Sequence, residues 1–107
     1  AQSDIRQGVT LEVMGEATSW GPFNDRVKKY ITETQSDIKY DITWDTLGEY
    51  LAFLKERGVS PNITSFVGAE TVRMNVLGFD DVAPTPEQLD AMRALVRQAM
   101  EEGAVGL

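Results

Sequence analysis

Residues 84–107 read PTPEQLDAMRALVRQAMEEGAVGL, and this stretch decides the fold class. Thr85 can cap a helix, Pro86 suits the first helical position, and Gln88, three residues past the cap, completes a capping-box pattern. Leu89, Met92, Leu95, Val96, Ala99 and Met100 recur at helical spacing and form one apolar stripe. Gly103 ends the helix, and Ala104, Val105, Gly106 and Leu107 follow as the beginning of a buried strand. A helix that feeds a strand is half of a βαβ unit, so residues 1–107 are expected to be a fragment of a larger α/β protein.

Upstream, residues 8–15 alternate Val9, Leu11 and Val13 with Thr10, Glu12 and Met14 between two glycines, the pattern of a strand. A helix is predicted after Asn24, with Val27, Tyr30 and Ile31 facing inward and Arg26, Lys28 and Lys29 outward. Residues 36–42 alternate like an extended segment or connector. A second helix is predicted from a Thr43 cap, carrying Trp44, Leu47, Tyr50, Leu51 and Leu54 to a stop at Gly58. Residues 62–68 read as a second strand, running into an acid-bearing loop at Glu70 and on to residues 74–78. The order strand, helix, helix, strand, helix, strand implies a parallel sheet with right-handed crossovers. Trp44 and Tyr50 are expected in the core, and Asp80-Asp81 in a solvated turn.

Composition narrows the chemistry. With 42% hydrophobic and 25% charged residues, 107 residues suffice for one modest core and are too balanced for disorder. No apolar run approaches the ~20 residues of a membrane span, and the start of the chain lacks a signal-peptide core, so a soluble, cytoplasmic protein is expected. The absence of cysteine removes disulfides and thiolate metal sites, and the absence of histidine removes the usual zinc ligand and general base. Catalysis by this chain alone would rest on carboxylates. A net charge of −7 argues against nucleic acid and anionic membranes as partners.

Ligands of α/β proteins gather at the C-terminal ends of strands, which draws attention to residues 16–22, with Glu16, Thr18, Ser19 and Trp20. The competing reading is a connection whose polar side chains face water. Ser19 has no histidine to activate it, which argues against a serine hydrolase. Trp20 either walls a pocket or covers an open end of the sheet. Arg73 either pairs with a substrate carboxylate through its guanidinium fork or forms an ion pair with Glu70 or Asp80.

Three groups of residues carry a family resemblance: residues 7–16; Gly68 with Thr71, Val72, Arg73, Val76, Leu77 and Gly78; and residues 83–107. Together they resemble the N-acyl-D-amino-acid deacylases (D-aminoacylases) of the amidohydrolase superfamily, over most of the chain and most specifically in the last segment. The resemblance implies a partial (β/α)8 TIM barrel, from about the second to the start of the fourth βα unit. It also implies a zinc-dependent hydrolase cleaving the amide of N-acyl-D-amino acids, with most metal ligands outside this chain and no catalytic residue within it. Where the family carries a cysteine ligand, this chain has Ala17, and the adjacent Glu16 becomes the candidate metal ligand. Gly68-Ala69 stands where many family members have Gly-His. Ser19, Trp20 and Arg73 are the candidate substrate contacts. Alone, the fragment is expected to be inactive, to bind no zinc and to associate with itself through open sheet edges. The alternative is a small noncatalytic binding or structural α/β domain.

Overall fold

A computed structural model describes residues 2–34 and 41–107. Its elements are α1 (Gln2–Arg6), β1 (Leu11–Met14), α2 (Asp25–Thr34), α3 (Leu47–Arg57), β2 (Asn62–Ser65), α4 (Ala69–Leu77) and α5 (Pro86–Glu101). β1 and β2 pair in parallel, with Leu11 opposite Asn62 and Met14 opposite Ser65. The ladder extends one step at each end, because the Asn62 amide donates to the Thr10 carbonyl and the Phe66 amide to that of Met14. Ser65 and Val67 turn their backbone groups to the other edge, where Val105 N–H donates to Ser65 O (3.0 Å) and Val67 N–H to Gly106 O (2.9 Å). Residues 104–107 thus lie along β2, opposite β1.

This arrangement corrects the barrel expectation. The described residues form an open two-stranded parallel sheet with five helices and no barrel. Closing a barrel takes about eight tilted, staggered strands, whereas the described residues hold two, each four residues long. The expected third strand is joined to the end of β2 by the two bonds above and is not part of the sheet. Most of the extended segment expected at 36–42 lies outside the described residues.

The final helix follows its sequence pattern closely. Thr85 Oγ1 accepts from the Gln88 amide (3.2 Å) and Gln88 Oε1 accepts from the Thr85 amide (2.9 Å), which is a complete capping box with Pro86 behind it. Ala99 is buried and Met92, Leu95 and Val96 pack against the core, while Leu89 and Met100 remain exposed. Gly103 takes φ +114°, a region closed to most side chains.

Two other elements differ from expectation. α3 is capped by Thr46 rather than Thr43, its Oγ1 accepting from the Glu49 amide (3.1 Å). The preceding residues are held extended because Trp44 enters the core and donates from Nε1 to Trp20 O (2.7 Å), while Asp45 O accepts from the Phe23 amide. Residues 69–73, read as loop, and the unassigned residues after them form α4, which buries Thr71, Val72, Met74 and Leu77. The core joins Phe23, Val27, Ile31, Trp44, Leu47, Tyr50, Val67 and Val72. Tyr30, expected inside, is half open and lies against Phe79, with ring centroids 4.6 Å apart.

Helix ends supply much of the long-range fastening. Asn24 caps α2 by accepting from the Val27 amide and donates through Nδ2 to Asn75 O at the far end of α4. Arg26 Nη2 also reaches Asn75 O (3.0 Å), placing a cation where the α4 dipole is negative. Glu102, just past α5, accepts from Thr46 Oγ1 (2.9 Å) at the N-terminus of α3, the favoured end for a carboxylate. A Cβ on Gly48 would lie 2.7 Å from the same carboxylate oxygen.

The sheet carries one unfavourable pair. Glu12 Oε1 is screened from solvent and has no donor of its own. A proton taken up by Glu12 can be shared with the Asp4 carboxyl of α1, and this, with partial burial and the repulsion between the two charges, raises the Glu12 pKa above its ordinary value of 4.5. Because the folded chain then holds this proton more tightly than the unfolded chain, stability falls as pH rises through the raised pKa. Thermal melting across pH 4.5 to 7 is expected to show this loss in the native chain and a smaller one in Glu12→Gln; identical slopes would contradict the pairing.

Candidate functional site

The two parallel strands end on the same side, and the segments that leave them are bound together there. Gly15 turns the chain at φ +90°, so close to β2 that a Cβ would sit 2.4 Å from Phe66 O. Glu16, Ala17 and Thr18 then form a three-residue turn. Thr18 N–H donates to Glu16 O (2.6 Å), and Ala17 sits at φ +60°, uncommon for a residue with a Cβ. Such strain persists only where the surroundings impose it, and it concentrates at functional positions.

Here the surroundings are the first turn of α4. The Glu70 amide donates to Ala17 O (3.0 Å) and the Gly68 amide to Ser19 Oγ (2.8 Å). Ser19 Oγ donates onward to Gly21 O (2.5 Å), and Ser19 N–H donates to Thr71 Oγ1 (2.9 Å), whose own proton reaches Ser19 O (3.3 Å). Gly68 admits the loop because any Cβ would lie 2.5 Å from Ala17 O. Ser19 and Thr71 are buried, and this network uses their hydrogen-bonding capacity.

The four residues singled out from the sequence occupy three places. Glu16 is exposed on the rim and borders a depression shared with Ala17, Phe66, Ala69 and Leu107. Ser19 and Trp20 line a separate cavity of about 210 Å3 on the other side of the loop, together with Thr18, Tyr30, Ile31, Thr34, Glu70, Thr71 and Met74. Behind the cavity, Trp20 stacks on Tyr50 (5.7 Å) and meets Phe23 and Trp44 edge-on (6.3 Å each). Arg73 lines neither of these two places. It donates through Nη2 to Val82 O (2.7 Å) and Asp80 O (3.4 Å), so it holds the α4–α5 connection through main-chain carbonyls rather than carboxylates. Arg73 and Glu70 border a second, adjoining depression with Tyr30 and Asp80.

Thr71, Tyr30, Thr34 and Met74 were not marked as site residues by sequence reasoning. A helical reading of residues 69–77 places Glu70, Arg73 and Met74 at three- and four-residue spacing and would have drawn them together.

Uncharacterized proteins of Mycobacterium tuberculosis and Mycobacterium bovis are similar to this chain, 34% identical over 121 aligned positions that take in 99% of it and 20% of each relative. The chain therefore spans about a fifth of the length of these curated relatives. No family model and no solved structure matches it.

The Ser19 hydroxyl is the pivot of the loop contact. Ser19→Ala strands the Gly68 amide in a buried setting, at a cost of about 1–3 kcal/mol. Chemical denaturation is expected to show that loss with an unchanged m-value; a change within error of zero would mean that the loop and α4 are held by other contacts.

Proposed function

We propose that this chain forms one wall of the substrate site in a longer metal-dependent hydrolase similar to the N-acyl-D-amino-acid deacylases, acting on the amide bond of N-acyl-D-amino acids. The observation that carries the reading is the position of Glu16. It sits at the carboxyl ends of both parallel strands, beside a residue held at positive φ, above an open depression. Ligand sites in parallel α/β sheets lie at such ends. The sequence resemblance covers the same turn, where Ala17 stands in the place of the family cysteine.

The chain's own residues do not fit a complete zinc site. Among the described residues, no group of three or more aspartates or glutamates comes together. Beside Glu16 the depression offers only Ala17, Phe66, Ala69 and Leu107, none with a donor side chain. Zinc takes four ligands in structural sites and three protein ligands in catalytic ones, so Glu16 contributes at most one of the ligating side chains. The contribution assigned to this chain is shape and one negative charge at the rim. No helix among the described residues is long and apolar enough to cross a membrane.

The reading is tested by metal analysis and hydrolysis of N-acetyl-D-amino acids, run side by side on this chain and on a full-length mycobacterial relative. The relative is expected to hold zinc and release the free D-amino acid, and this chain to do neither. A metal-free relative that leaves the D-substrates intact would overturn the proposal, as would tight zinc binding and turnover by the chain alone.

A further inference from the structure

The cavity on the far side of the loop has a lining of its own chemistry. Among the described lining residues, Trp20 and Tyr30 supply aromatic surface, Ile31 and Met74 apolar surface, Thr18 and Thr34 hydroxyls, and Glu70 the single charge. None of the described lining residues is basic. The nearby guanidiniums are engaged on main-chain carbonyls: Arg26 at Asn75 and Met74, and Arg73 at Asp80 and Val82. Glu70 takes part in none of the ion pairs among the described residues. Its amide is fixed on Ala17 O, which anchors the backbone that carries this carboxylate.

An aromatic wall beside an unpaired carboxylate attracts a cation twice, through the ring quadrupole and through charge. One carboxylate among hydroxyls and hydrocarbon is a poor set for a metal ion, which asks for several oxygen or nitrogen ligands. It suits a cation whose charge is spread over carbon and nitrogen. The net charge of −7 biases the whole surface the same way. We infer that the cavity bounded by Trp20, Tyr30 and Glu70 is a binding site for a small organic cation of the alkylammonium or guanidinium class. This inference concerns a different cavity from the Glu16 rim and does not depend on amide hydrolysis.

The test uses this chain with tetramethylammonium and methylguanidinium as probes, each added at constant ionic strength and read by backbone and indole NMR shifts. Tert-butanol serves as the neutral control. Saturable shifts are expected for the Trp20 indole N–H and the Thr18, Glu70 and Thr71 amides with both cations and not with the alcohol. Glu70→Gln is expected to weaken binding at least fivefold, and Tyr30→Leu to weaken it as well. Both residues are exposed, so the fold survives and unperturbed spectra elsewhere verify it. Binding by tetramethylammonium alone still supports the inference and assigns the selectivity to the aromatic wall; binding by methylguanidinium alone supports it and assigns selectivity to the hydroxyls. Absence of saturable shifts, equal shifts with tert-butanol, or undiminished affinity in Glu70→Gln overturns it. Because no hydrolysis is measured, failure here leaves the amidohydrolase reading untouched, and the reverse holds too.

Discussion

The contact between the turn after β1 and the first turn of α4 is the constraint on which the rest of the molecule depends. A parallel strand pair of four residues each is a weak object by itself, and what leaves each strand must be anchored for the pair to persist. Ser19 and Thr71 provide the anchor with neutral, buried hydrogen bonds, and Gly15 and Gly68 provide the room. Buried polar groups are costly when unpaired and specific when paired. A network that satisfies both hydroxyls therefore fixes a single loop conformation and carries Ala17 into its unfavourable backbone region. The same contact divides the surface at the strand ends in two, with Glu16 on one side and the Trp20 cavity on the other.

The remaining fastenings share one logic, in which the end of one helix is completed by a side chain from elsewhere. Asn24 and Arg26 satisfy the end of α4, and Glu102 faces the start of α3. Each joins segments far apart in sequence at a point where orphan backbone groups would otherwise need water. Charge is placed by the dipoles rather than by ion pairing. The Lys28–Asp45 pair is partly screened from solvent, but Lys29–Glu33 and Asp90–Arg93 are exposed and contribute little.

What the sequence disclosed depended on whether local signals acted alone. In α5, cap, proline, capping box and periodicity agree, and the helix forms where they place it. α3 was displaced by three residues because Thr43 and Thr46 are both able to cap. The deciding signal, Thr46 with Glu49 three residues on, was legible, but the tertiary demand on Trp44 was not. α4 was hidden for a different reason. Thr71, Val72 and Val76 are poor helix formers, and Gly68 stands at the cap without a side chain to mark it, so packing rather than propensity makes this helix. The resemblance drew attention to the turn at Glu16, whose exposure and whose neighbour Ala17 at positive φ come from tertiary contacts that no local signal marks. It could not supply Tyr30 or Thr34, which reach the neighbouring cavity from a separate helix.

Strand ends, loop and helix cap thus form one unit, and its rigidity can be measured directly. Native-state hydrogen exchange of the Ser19, Gly68 and Glu70 amides tests it most sharply, since all three are committed to the contact between loop and α4. Protection comparable to that of Val72, inside α4, is the expected result. Exchange of these amides at rates typical of an open loop, while Val72 stays protected, would contradict the dependence of the fold on this contact.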